Sequence, residues 1–262
     1  MPLTSTKHPL LQKVRRAAAD GRLTPDGWLV IEGPHLLAEA LLGRWELGPV
    51  LTTVQGHTRY SPMLAKRNVE WIEVSARAIA AAASTETTQE ILALVRPRVS
   101  SWREVTAPPA LTVVLDGLQD PGNAGTIVRS AEAFGAGGIV FLEGCVRVAN
   151  GKFLRATAGS IFRLPFLEGI TRAELIKQTH VTGMDLYALT AQGKHQGKQS
   201  LADADLRGPC ALITGSESHG VSPELLAAAI GLAIPTKRVE SLNAAVACSI
   251  ALFEAARQRE TR

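Results

Sequence analysis

The stretch Leu115-Asp-Gly-Leu-Gln-Asp-Pro-Gly-Asn-Ala-Gly-Thr-Ile-Val-Arg-Ser-Ala-Glu-Ala-Phe-Gly135 decides the fold. The run 111–115 that leads into it is short, apolar and uncharged, as in parallel strands buried on both faces. It ends in a loop of glycine and proline, and a helix follows over 124–134. Asn123 caps or approaches the start of that helix, and Arg129 lies six residues further on. Taken alone this is a strand–loop–helix joint with a surface arginine. A helix N-terminus beside a guanidinium also attracts a phosphate or a ribose.

Outward from this joint, strands and helices alternate. The runs 138–141, 185–189 and 211–214 repeat the buried-strand composition, with helical stretches at 124–134, 173–179, 223–229 and 241–259 between or after them. This is a doubly wound α/β pattern with a mostly parallel sheet. Upstream the reading is a smaller α/β domain. It has a basic amphipathic helix at 9–19, a strand at 28–31, a helix opened by Pro34, strands at 49–54 and 70–74, an alanine-rich helix at 76–83 and a buried strand at 91–95. Proline and charge from Arg96 to Pro109 mark the boundary, so the expected division is 1–100, a linker at 101–109, and 110–262.

Composition removes several function classes. The 262 residues are 46% hydrophobic and 20% charged, enough for a packed core and too little charged for a disordered chain. Aromatics at 5% argue against wide stacking platforms for single-stranded nucleic acid. The longest nearly uncharged apolar run, 244–252, is far short of the roughly 20 residues a bilayer needs, and no apolar signal core opens the chain. Cys145, Cys210 and Cys248 are widely spaced and read as small buried hydrophobes, which suits a reducing cytoplasm. No histidine or cysteine spacing fits a metal site. The net charge of +4 leans toward a polyanionic partner, and the excess is mostly N-terminal. Dinucleotide, Walker and nucleophile-elbow motifs are absent; the near-Walker loop at 193–200 reads as solvated, with Lys194 and Lys198 as candidate RNA contacts.

Two further segments carry chemistry. In Ala211-Leu-Ile-Thr-Gly-Ser-Glu-Ser-His-Gly-Val-Ser222 an apolar strand again runs into a glycine-bearing loop, with Glu217 at the strand's C-terminal end, where ligand crevices form in open α/β sheets. In Ile234-Pro-Thr-Lys-Arg-Val-Glu-Ser-Leu-Asn243 a loop opens the long C-terminal helix, and Ser241 is a good N-cap candidate. Capping does not explain Asn243 so close to a helix face of small residues.

These three segments, in this order, resemble the TrmH/SpoU branch of the SPOUT RNA methyltransferases from Leu111 to the C-terminus, in the pattern D-x-x-x-D-P-x-N-x-G-x-x-x-R-S-A-x-A-F-G, then G-x-E, then I-P and S-L-N. The stretches 152–159 and 161–165 agree as well. Leu3-Thr-Ser5, Ile31-Glu-Gly-Pro-His35 and 85–94 are similar to the substrate-binding domain often fused upstream, whose fold is like that of a ribosomal RNA-binding protein. The resemblance implies a deep trefoil knot, a homodimer, S-adenosylmethionine as cofactor, and methylation of a ribose 2′-hydroxyl in RNA, with rRNA expected ahead of tRNA and no metal. Carried over, Gly215, Ile234 and Leu242 hold the methyl donor through backbone, with Thr214, Glu217, Ser241 and Asn243 beside them. Asn123, Arg129, Glu217 and Asn243 fall on the catalytic signature, and Lys7, Lys13, Arg15 and Arg16 are the candidate phosphate contacts.

The chain departs from the family pattern at Ser218, Thr236 and Ala244-Ala245, and in a loop one residue shorter that carries Lys237-Arg238. Two other readings use the same residues. One is an RNA-binding or ribosome-assembly protein with a disabled cofactor loop. The other is a small-molecule hydrolase using Ser218 and His219, whose adjacency argues against a nucleophile–base geometry.

Overall fold

The structure, a computed structural model, describes residues 2–43, 45–65, 67–84, 89–191 and 199–260. Lys194, Lys198 and the motif residues 85–87 lie outside the described residues. The helices are α1 (Pro9–Asp20), α2 (Pro34–Leu42), α3 (Val54–Leu64), α4 (Ala76–Ala82), α5 (Trp102–Val105), α6 (Pro121–Ala133), α7 (Gly151–Ala156), α8 (Arg172–Thr182), α9 (Pro223–Ala228) and α10 (Ala244–Glu260). The strands are β1 (Leu29–Glu32), β2 (Glu46–Thr52), β3 (Trp71–Glu73), β4 (Ile91–Arg96), β5 (Leu111–Asp116), β6 (Gly138–Leu142), β7 (Phe166–Ile170), β8 (Asp185–Thr190), β9 (Gln199–Ser200), β10 (Cys210–Gly215) and β11 (Ile230–Ala233). They form two compact units: Met1–Arg98 with Arg147–Arg163, and Val99–Val146 with Leu164–Arg262.

The first unit is built on a sheet of order β1-β4-β2-β3, antiparallel except for the β2–β3 pair. Helical spacing puts Leu11, Val14 and Ala17 of α1 on one face, and they pack with Ile79 and Ala82 of α4 over Leu92 and Leu94. Lys13, on the opposite side, is paired with Asp26 at 2.9 Å, whereas Lys7, Arg15 and Arg16 are exposed. The segment Arg147–Arg163 is part of this unit's core. Asn150 caps α7, its Oδ1 accepting from the Lys152 and Phe153 N–H groups at 2.9 and 3.1 Å. Further on, Phe162 sets its ring edge-on to Trp45 at 4.7 Å, and Arg163 pairs with Glu39. Position 43 has to be glycine, because a Cβ there would lie 2.1 Å from the Phe162 carbonyl oxygen.

The second unit holds a sheet of order β7-β6-β5-β10-β8-β11-β9 in which every paired strand is parallel. Every residue of β5 and of β10 is buried, which accounts for their largely apolar composition. Val114, Val140, Ala211 and Ile213 pack with Leu175 of α8 and Leu225 of α9. Elsewhere α6 and α10 pack on each other through a 2.7 Å Ser130–Ser249 hydroxyl contact and an edge-on Phe134–Phe253 pair at 5.8 Å. The stretch 101–109 is tightly packed here: Val105 is fully buried, and a Cβ on Gly138 would meet its Cα at 2.7 Å.

Two cap assignments change. The helix after β5 begins at Pro121, and its cap is Asp120, whose Oδ1 accepts from the Asn123 N–H at 2.7 Å; the Asn123 side chain is left for other work. The last helix begins at Ala244 and is capped by Asn243, not Ser241, with Asn243 Oδ1 accepting from the Ala245 and Val246 N–H groups at 3.0 and 3.2 Å. All three cysteines are free. Burial pushes the Cys145 and Cys248 thiols up to about 11, so at pH 7 both are held as neutral thiols. Iodoacetamide at pH 7 is therefore expected to leave both unmodified in the native protein and to label them once it is denatured. Rapid native labelling, read by peptide mass spectrometry, would contradict the burial of Cys248 and the raised thiol of half-buried Cys145.

Candidate active site

In the second unit β10 lies between β5 and β8, with the β5–β6–β7 half of the sheet running the other way from β5, so strand order reverses at the β5–β10 pair. The C-terminal ends of strands at such a point leave a crevice between diverging loops. A cavity of about 430 Å³ lies beside this point, at the C-terminal ends of β8, β10 and β11. Thr214, Gly215 and Glu217 border it from β10 and its loop, Ile234 from the end of β11, and Ser241, Leu242 and Asn243 from the approach to α10. Leu189, Thr190 and Ala191 at the end of β8 also border it; sequence reasoning missed them because it does not give strand order.

The residues present fit S-adenosylmethionine. The volume lies in the roughly 300–1,000 Å³ range of small-molecule sites. Leu189, Leu226, Leu232, Ile234 and Leu242 supply apolar walls for an adenine, while Glu217 and Glu240 supply negative charge for a sulfonium. Thr190 Oγ1 is buried with no hydrogen-bond partner in the protein. Gly215 is bare because the loop folds back over it: a Cβ there would sit 2.0 Å from the Gly220 carbonyl carbon.

At this cavity three distant segments are tied together. The Asn123 amide donates to Glu217 Oε1, and Asn243 Nδ2 lies 3.1 Å from Asn123 Oδ1 and 3.4 Å from Glu217 Oε1. The orientation of the Asn243 amide follows from its cap: with Oδ1 engaged by helix N–H groups, the NH₂ end must face Glu217 and Asn123. Loop 216–220, which carries Glu217, is closed by two bonds between Ser216 and Gly220 at 3.1 and 2.8 Å.

Arg129 does not join this cluster. It is exposed on α6 and makes no hydrogen bond or ion pair among the described residues. Six residues of helix place it about 120° around the axis and about 9 Å along it from Asn123. Ser218 Oγ and His219 Nδ1, contrary to the expectation from their adjacency, do meet at 2.7 Å. Among the described residues no third group holds that imidazole, as an activated nucleophile requires. Among the described residues, moreover, no group of three His, Cys, Asp or Glu is placed to hold a metal ion, and no helix is long and apolar enough to cross a membrane.

A parallel sheet with a cavity at the C-terminal ends of its strands, and an asparagine–glutamate–asparagine junction beside it, match the RNA methyltransferases of the SPOUT class. The profile of the SpoU rRNA Methylase family matches residues 110–253, and that of the MRM3-like substrate binding domain matches residues 23–93. The chain belongs to the SpoU rRNA methylase family. It is 35% identical to an uncharacterized tRNA/rRNA methyltransferase of Synechocystis sp., over 98% of this chain and 94% of that one. It is 30% identical to the Bacillus subtilis 23S rRNA (guanosine(2553)-2′-O)-methyltransferase RlmP, over 96% and 97%. Among solved structures, the AdoMet-bound rRNA methyltransferase of Sinorhizobium meliloti superposes with a TM-score of 0.84 at 26% identity, over 98% of this chain and 97% of that one.

Proposed function

We propose that this chain methylates a ribose 2′-hydroxyl of rRNA with S-adenosylmethionine, acting as a cytoplasmic homodimer whose cofactor loops form a trefoil knot. The observation that carries the reading is the junction of Asn123, Glu217 and Asn243 beside the cavity bounded by Gly215, Ile234 and Leu242. Bound there, the cofactor supplies an electrophilic methyl group on a sulfonium. Backbone at Gly215, Ile234 and Leu242 grips it, with Thr214 and Ser241 alongside. Asn243 holds the loop that opens α10, and Glu217 holds both asparagine amides in register. The Arg129 guanidinium grips the neighbouring phosphate and stabilises charge developing on the ribose oxygen, and the proton leaves to a phosphate oxygen or to water.

An apolar stripe supports the dimer. Val246, Ile250 and Phe253 on α10 follow helical spacing and are 47%, 37% and 55% exposed, on a helix packed against the one that carries Arg129. The rRNA preference rests on the upstream domain and on the named activity of the Bacillus subtilis relative. Mass spectrometry of nuclease-digested rRNA and tRNA, from cells with and without the protein, tests the reading. Loss of one 2′-O-methyl nucleoside from rRNA is expected; an unchanged nucleoside profile in both RNAs would overturn it.

Residues 1–100 serve as the RNA-binding domain in this reading, with Lys7, Arg15 and Arg16 on phosphates. Lys13 contributes less, because Asp26 already neutralises it. Reversing the charge at Arg15 and Arg16 is expected to weaken RNA binding by about tenfold at moderate salt and to flatten its salt dependence. Cofactor affinity should not change. An RNA affinity equal to wild type would remove α1 from the interface.

A further inference from the structure

Asp116 is 2% exposed, ends the central strand β5, and is the register partner of Gly215 on β10. A carboxylate so deeply buried needs its charge and lone pairs met. Arg172, the first residue of α8, meets Oδ1 through Nε at 2.9 Å and Nη2 at 2.6 Å. The Ser222 N–H meets Oδ2 at 2.7 Å. Ser222 stands at the N-cap of α9, yet its hydroxyl makes no cap bond; it accepts from Arg172 Nε at 3.0 Å.

This arrangement joins the two arms of the candidate site. From Asp116 the chain turns through Gly117, at φ 65°, into the loop and helix that present Asn123. From Gly215 it runs through the closed loop that presents Glu217 and returns at Ser222, where Asp116 holds it. The Asp116 carboxylate is therefore covalently continuous with one arm and hydrogen-bonded to the far end of the other. Arg172 braces both. None of Asp116, Arg172 and Ser222 borders the cavity.

We infer that Asp116 and Arg172 are a positioning pair for methyl transfer: they set Glu217 against Asn123 by clamping Ser222 to the end of β5, and touch neither cofactor nor RNA. The inference rests on the reading of Glu217 and Asn123 given above. The fork of Arg172 is what fits the task. A lysine there keeps the charge but cannot bond Asp116 twice while also reaching Ser222.

Arg172→Lys tests it. Arg172 is about one-third exposed, so this variant is expected to fold, with a thermal midpoint near wild type. In full-length protein kcat for RNA methylation should fall about tenfold, while the KM for RNA stays within about twofold, because a misplaced group costs the chemical step ahead of substrate capture. In a Glu217→Gln background the same change should cost less than about twofold, since two residues acting through one contact are not additive. Asp116→Asn, which keeps an acceptor for Ser222 and loses the charge, should reproduce the kcat loss. A wild-type kcat in Arg172→Lys, or its full loss on top of Glu217→Gln, overturns the inference. If Glu217→Gln alone is as active as wild type, the role given to Glu217 fails, and the pair falls with it as a device that acts through Glu217.

Discussion

Replacing Gly215 by alanine is expected to weaken S-adenosylmethionine binding at least tenfold, about 1.4 kcal/mol or more. The added Cβ would lie 2.0 Å from the Gly220 carbonyl carbon, 2.1 Å from its oxygen and 2.1 Å from the Val221 nitrogen. All three are backbone atoms, so no side chain can swing aside. Loop 216–220 must lift from the end of β10, and it carries Glu217 away from the Asn123 amide that it accepts. Because the clash falls at the last residue of β10, the strand's pairing with β5 and β8 upstream is expected to persist, and circular dichroism should report a folded protein. Gly208→Ala is the control, since a Cβ there meets nothing within 4 Å and the backbone has no positive φ. Calorimetric titration checks both. A Gly215→Ala affinity within twofold of wild type would mean that the cofactor does not depend on this turn.

How much of this was open to sequence reading follows the range of the interactions involved. The runs at 111–115, 138–141, 185–189 and 211–214 fall within or on β5, β6, β8 and β10, because continuous burial writes itself into local composition. β7 did not, since Phe166-Leu-Glu-Gly-Ile170 is an edge strand with an exposed Glu168 and a glycine at φ 74°. Gly56 and Pro62 hid α3, although Thr53, whose hydroxyl accepts from the Gly56 N–H at 3.0 Å, is an ordinary N-cap. The placing of Arg147–Arg163 in the first unit was not legible at all, for the contacts of Phe162 with Trp45 span over a hundred residues. At the site, motifs brought Asn123, Glu217 and Asn243 to notice. The bonds among them were not readable, and neither was the choice between Ser241 and Asn243 as cap, because both side chains cap well and only the chain's path decides.

Arg129→Ala is expected to lower kcat for methylation by about a hundredfold while leaving cofactor affinity unchanged, the scale on which one lost donor to a developing oxyanion is felt. The second half of that expectation comes from geometry: Arg129 does not border the cavity and bonds to none of Asn123, Glu217 and Asn243. It stands on α6, the helix packed against α10, which carries the exposed stripe of Val246, Ile250 and Phe253. In the homodimer proposed above, a second copy docked on that stripe would bring its own Arg129 toward the junction. The arrangement makes a sharp demand on mixtures. Arg129→Ala and Glu217→Gln proteins, each strongly impaired alone, should regain about a quarter of wild-type activity after co-refolding, because half the dimers are mixed and each holds one intact composite site. If the guanidinium acted within its own chain, every site in the mixture would lack one group and no activity would return. A monomer in sedimentation, or an Arg129→Ala rate within threefold of wild type, would equally break the argument, the first by removing the partner and the second by removing the need for it.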